Sequence, residues 1–339
     1  MKVRVGIVGL GDAWETRHRQ ALRALSDRFE VRAICAAVAH RADLAAREFN
    51  AVSMDGFRAL AAREDIDAIL MLSQDWIGPL PILAACEAGK AVYTSVALEI
   101  DPVQAREVKR RVETSGVAFM AEFPRRHAPA TLRLKELVAT KLGQPRLLFC
   151  HDRRNEPPTN GRTTANPHCP PSIRQMMELV DWCRYVVGTE PTSVVGMNHV
   201  APEGSNLESD YQMMSLDFSL NDELGAGAMA QISCSSYMSP NWPDAIGFRA
   251  PAALQVCCEN GVAFVDLPSK LVWFDEAGQH LESLESERSV GEQLLTQFYR
   301  AVTSLVRNTT DLEDAYRALN IVLTARTSFQ ESRRLPLEF

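Results

Sequence analysis

Along the first third of the chain, apolar positions switch repeatedly between a strand run and a helical period. Val3–Val8 is a continuous apolar run of strand length, and Thr16–Leu25 places Ala21, Leu22 and Leu25 on one helical face. The same alternation gives strands at Val31–Val38, Ala68–Ser73, Ala91–Thr94 and Val117–Ala121. Helices are predicted over "HRADLAAREF", Leu80–Ala88 (ended by Gly89) and Pro102–Ser115. Strand–helix alternation with short connections predicts a doubly wound parallel sheet.

The pattern changes after about Glu122. A helix at Pro129–Val138 and a strand at Pro145–Cys150 are followed by a polar loop from His151 and a helix over Ile173–Val187. From Ser193 to Trp273 the chain reads as successive strands separated by Gly, Asn, Asp and Pro. It closes with helices at Val290–Arg307 and Leu312–Glu331. The expectation is therefore α/β overall: residues 1–122 form a Rossmann-type dinucleotide-binding domain. Residues 123–339 form an α+β domain with an open, largely antiparallel sheet.

Charge narrows the partners. A net charge of −7 over 339 residues gives no reason to expect nucleic acid or an anionic membrane surface. "MKVRVGIVGLGD" reads as a strand and a turn rather than a secretory signal, and no apolar run approaches the ~18 residues of a membrane helix. The eight cysteines lie scattered, mostly within apolar stretches, as expected of reduced thiols in a cytoplasmic protein.

The candidate chemistry starts at "VGIVGLGDAW". Gly9 and Gly11 follow a strand and precede a helix, where a turn with Asp12 and Ala13 brings backbone N–H groups to a pyrophosphate. Trp14 holds the third glycine position of that fingerprint. An acidic ribose clasp is missing after the second strand, where Ala36 and Ala37 stand. Arg41 either receives a 2′-phosphate or simply opens a solvated helix. Glu178 and Asp181, three apart, share a helical face and suit general acid–base work, or else cap and pair. Arg125 and Arg126 either grip a ligand or form interdomain salt bridges. His151, Asp152, His168 and Cys169 are metal-competent residue types, but their spacing fits no zinc pattern, so no metal is expected.

Taken in order, "VGIVGLGDAWETRHRQAL", "ACEAGKAVY", "FPRRHAPATLRLKEL", "LVDWCRYVVGTEPTSVVG" and "DLEDAYRALNIVLTARTSFQESRRLPL" resemble the Gfo/Idh/MocA oxidoreductases over nearly the full length. The resemblance implies hydride transfer between NAD or NADP and a sugar, cyclitol or related compound. It also implies a homo-oligomer formed through the C-terminal sheet. Ser73 and Ser95 fall beside the implied cofactor; Arg126 and Arg174 fall where substrate is held. The family's Glu-Lys-Pro motif falls on Ser95, Val96 and Ala97, and its Pro-Asn motif on Gln74 and Asp75. Its Asp-x-x-x-His-x-x-Asp pattern falls on Arg174, Glu178 and Asp181, so lysine and histidine are both replaced. Two expectations follow: an oxidoreductase with Glu178 as substitute base and an acidic sugar held by Arg126 and Arg174, or a non-catalytic relative that binds a ligand or partner subunit.

Overall fold

The computed structural model describes residues 2–73, 77–95, 101–155, 171–199, 211–220, 223–238, 242–304 and 310–339. They form two compact units. The first runs to Pro124 and includes Glu287–Leu319. The second begins at Arg125 and includes Asn320–Phe339. The expected boundary at 122/123 assigned all later residues to the second domain. The structure groups Glu287–Leu319 with the first, where Leu294, Leu295 and Phe298 pack into its core.

The first unit holds six parallel strands: β1 (Val3–Val8), β2 (Phe29–Cys35), β3 (Val52–Ser53), β4 (Ala68–Met71), β5 (Ala91–Thr94) and β6 (Phe119–Ala121). Their order is β3-β2-β1-β4-β5-β6, so the chain reverses direction across the sheet between β1 and β4. Helices α1 (Arg19–Ala24), α2 (Ala39–Phe49), α3 (Phe57–Ala61), α4 (Leu80–Glu87) and α5 (Pro102–Ser115) connect the strands. The apolar strands bury both faces, as parallel strands covered by helices must. Asp101 caps α5 by accepting from the Gln104 N–H at 2.8 Å, and Gly116 ends it in the left-handed region.

The second unit is built on nine strands. Helices α6 (Pro129–Leu137), α7 (Pro171–Val187) and α8 (Pro243–Gly247) accompany β7 (Pro145–Asn155), β8 (Ser193–His199), β9 (Tyr211–Leu220), β10 (Glu223–Met238), β11 (Leu254–Cys258), β12 (Gly261–Asp266), β13 (Lys270–Asp275), β14 (Gly278–Ser283) and β15 (Leu335–Pro336). Their order is β14-β13-β12-β11-β7-β10-β9-β8-β15. The central β7–β10 pair is parallel, and the other pairings are antiparallel. Helices α9 (Val290–Thr303), opened by a Ser289/Glu292 capping box, and α10 (Thr310–Glu331) complete the chain.

Helix α7 covers one face of this sheet, over buried Leu148, Cys150, Ile232 and Cys234. The opposite face keeps Leu147, Val195, Met197, Met229 and Phe274 exposed. Among the described residues no helix is long and apolar enough to cross a membrane.

Candidate functional site

In the first unit the glycine turn is fixed by its neighbours. The Gly9 N–H donates to the Cys35 carbonyl at 2.8 Å, tying the end of β1 to the end of β2. Gly9 has φ +83°, and a Cβ there would lie 2.6–2.8 Å from Ser73 atoms; one on Gly11 would lie 3.0 Å from the Ser73 Cβ. Only glycine permits this approach to the chain leaving β4. A helix follows from Asp12, passes through a π turn over Trp14–His18 and continues as α1. The first N–H groups of such a helix lack partners within it and face the turn, which fits a pyrophosphate.

Trp14 does not intrude on this cradle. It is 2% exposed and packs in the core, tilted on Phe49 with ring centroids 5.5 Å apart. The wider π turn, with its i→i+5 bonds, takes in one more residue than an α turn would. Of the other expected cofactor contacts, Asp12 is exposed and Ala13 buried at the helix start. Ser95 donates both its N–H (3.0 Å) and its hydroxyl (3.4 Å) to the Met71 carbonyl at the end of β4. Arg41 stands in the first turn of α2, its Nη2 3.0 Å from Glu15.

A second polar group in this unit joins residues far apart in the sequence. The buried Glu122 carboxylate meets His18 Nε2 at 2.9 Å, accepts from the Tyr93 hydroxyl at 3.2 Å and lies 2.5 Å from Arg17 Nε. Burial alone would raise the Glu122 pKa, but His18, Arg17 and Tyr93 outweigh it and hold it below the usual carboxylate range. Burial and the Glu122 charge push the Tyr93 phenol well up.

In the second unit, two arginines on consecutive positions divide the acidic residues between them. Arg126 donates to Asp181 through both Nε, at 2.7 Å, and Nη2. Arg184 lies 3.6 Å from the same carboxylate, which is 1% exposed. Arg125 reaches Asp152 on β7 at 3.2 Å and Glu178 on α7 at 3.7 Å, with its guanidinium over the Trp182 ring. Arg174 is half-buried one turn before Glu178.

These arrangements place three of the expected site residues. The Asp181 carboxylate is buried and paired with Arg126. Arg126 turns its guanidinium fork onto that carboxylate. Glu178 is not sequestered from water: its side chain is 25% exposed, beside Arg125.

Residues 3–123 match the family described as "Oxidoreductase family, NAD-binding Rossmann fold". The first unit is thus similar to the NAD-binding domain of the Gfo/Idh/MocA oxidoreductases. The chain is 28% identical over 173 residues to an inositol 2-dehydrogenase of Cereibacter sphaeroides, covering 50% of each chain. Against a dTDP-3,4-didehydro-2,6-dideoxy-alpha-D-glucose 3-reductase of Actinomadura kijaniata it is 30% identical over 144 residues, covering 40% of this chain and 41% of the other. The chain thus spans about half the length, or less, of these relatives. A levoglucosan dehydrogenase solved with NADH and levoglucosan superposes over 100% of both chains with TM-score 0.84 at 15% identity, a likeness of fold.

Within this family frame, the residues at the lysine motif, Val96 and Ala97, lie outside the described residues, as do Gln74, Asp75, His168 and Cys169. Among the described residues no group of three His, Cys, Asp or Glu side chains is placed to hold a metal ion. Asp152 is the site candidate that the sequence reading misassigned. Its charged neighbours read as loop, yet β7 continues to Asn155 because His151, Asp152 and Arg153 pair with Ser233, Cys234 and Ser235 of β10.

Proposed function

We propose that this chain is an oxidoreductase that binds NAD or NADP and acts on a neutral sugar, cyclitol or related polyhydroxy compound. In this reading the carboxylates of its second unit handle the proton. The observation that carries the reading is the glycine turn at Gly9 and Gly11, kept in the frame of the matched family while Trp14 is folded away from it. Sugar and cyclitol chemistry in the names of the sequence relatives supports the substrate class.

The residues of the cradle fit the cofactor. Gly9, Gly11 and the helix N-terminus from Asp12 hold the pyrophosphate, with Ser73 beneath the turn. When bound, the nicotinamide accepts or supplies a hydride. The protein's own task is to bind hydroxyls and to move one proton.

Asp152, Arg125 and Glu178 suit that task. Two carboxylates accept from hydroxyl groups, and the guanidinium between them donates. Both carboxylates lie against the Arg125 guanidinium, which favours a neutral polyol over a sugar acid. Glu178 accepts the proton of the reacting hydroxyl in place of the absent lysine and histidine. General-base removal typically costs ~10²–10⁴ in rate. Glu178→Gln should therefore lose turnover by that order while polyol binding stays within a few-fold. Turnover that survives the substitution removes Glu178 from the mechanism. Binding of cofactor and polyol with no turnover in the unmodified protein favours the non-catalytic ligand-binding relative.

The exposed apolar face of the nine-stranded sheet supports association of two copies through it, since such a face on a monomer is costly to leave in water.

A further inference from the structure

We infer that the adenosine end of the cofactor site takes a 2′-phosphate through Arg41, so that NADPH binds in preference to NADH; this rests on the cofactor reading above. The Gly9–Cys35 hydrogen bond fixes the end of β2 against the glycine turn. In a dinucleotide fold the residues just past that strand meet the adenosine ribose, and an acid there takes the ribose hydroxyls of NAD. Here the strand runs into Ala36, which is half-buried, and Ala37, which is exposed. Neither repels a phosphate.

The first cation beyond them is on the same side. Arg41 Nη2 lies 3.0 Å from Glu15 Oε1, and Glu15 belongs to the helix that opens at the glycine turn. That contact holds the guanidinium between the start of α2 and the pyrophosphate end of the first helix. Both side chains are close to half exposed (47% and 46%), so the pair itself contributes little. It is readily exchanged for a doubly charged phosphate, which matches the arginine fork.

The surrounding charge favours the exchange. Arg19 and Arg23 both bind Glu48 at 2.6 Å, and Arg19 also reaches Glu15 at 3.4 Å. Three arginines, counting Arg41, therefore share the two carboxylates Glu15 and Glu48. The exposed His40 adjoins Arg41 in the first turn of the same helix. One carboxylate argues the other way. Asp55, exposed after β3, lies near enough to Cys35 to help burial push that thiol up. It is the alternative clasp for an unphosphorylated ribose.

The test is equilibrium binding by calorimetry of NADPH and NADH, and of adenosine 2′,5′-bisphosphate and AMP. Measurements are made on the unmodified protein, Arg41→Ala and Ala37→Asp. The phosphorylated member of each pair should bind about ten- to a hundredfold tighter, the weight of one charge-assisted contact. Arg41→Ala should remove that preference while NADH affinity changes less than about twofold, and Ala37→Asp should turn the preference toward NADH. Equal or tighter binding of NADH, or an Arg41→Ala variant that weakens both cofactors alike, overturns the inference and leaves the cofactor reading standing. If neither cofactor binds, both fall together.

Discussion

Arg126 and Asp181 form a two-pronged ion pair inside the second unit, with the carboxylate almost wholly buried. Removing one member of such a pair leaves an uncompensated buried charge, at a cost of about 3–5 kcal/mol. Asp181→Asn should therefore lower stability by that order in urea unfolding. A variant that keeps full stability and loses only turnover would return Asp181 to the catalytic role its position in the sequence suggested.

The Glu122 cluster sets an acid limit on the first unit. His18, Arg17 and Tyr93 hold the buried Glu122 below its ordinary value of 4.5, despite the upward push of burial. A group whose folded pKa is depressed contributes stability above its unfolded value and loses it as pH falls through the folded one. Stability should therefore drop as pH is taken below about 4.5. Glu122→Gln should be less stable at neutral pH and show a flatter acid limb; thermal unfolding across that range measures both.

Gly9 should tolerate no side chain. With φ +83° and Ser73 backbone atoms within 2.8 Å of a Cβ, Gly9→Ala strains the turn and pushes β1 away from the segment leaving β4. An incompatible Gly→Ala change costs more than about 1 kcal/mol. Cofactor affinity should fall more than tenfold, because the amides that meet the pyrophosphate move with the turn. Unchanged affinity in a titration of this variant would detach the glycine turn from cofactor binding.

Trp14 belongs to the core rather than to the ligand. Its ring packs against Phe49 among Val3, Ile7 and Leu70, so Trp14→Ala should cost about 3–5 kcal/mol through the cavity it leaves. Chemical denaturation reads the loss. A stable variant with altered cofactor binding would instead place the indole at the ligand.

The first unit was legible because its signals are local. Apolar runs such as Val3–Val8 and Ala91–Thr94 announce buried parallel strands, and Gly9 and Gly11 punctuate the first of them. The short β3 and α3 carry too few residues to show a period. The candidate residues of the second unit were hidden for another reason. Asp152 sits in a charged stretch that reads as loop and becomes strand only through pairing with β10, a partner some eighty positions away. Which arginine meets which carboxylate is equally invisible in "FPRRH": the helix face of α7 and the register of β7 decide it. Tyr93 and Glu122 gave no signal, since one looks like an ordinary strand residue and the other like a strand end. Their pairing with His18 exists only in three dimensions.

The Gly9–Gly11 cradle is proposed to bind a nicotinamide cofactor. Equilibrium titration of the purified protein with reduced cofactor, followed by cofactor fluorescence, tests it most directly. Saturable binding at micromolar concentrations, lost in Gly11→Val, is the predicted result. No binding up to millimolar cofactor, or binding that Gly11→Val leaves intact, would contradict it.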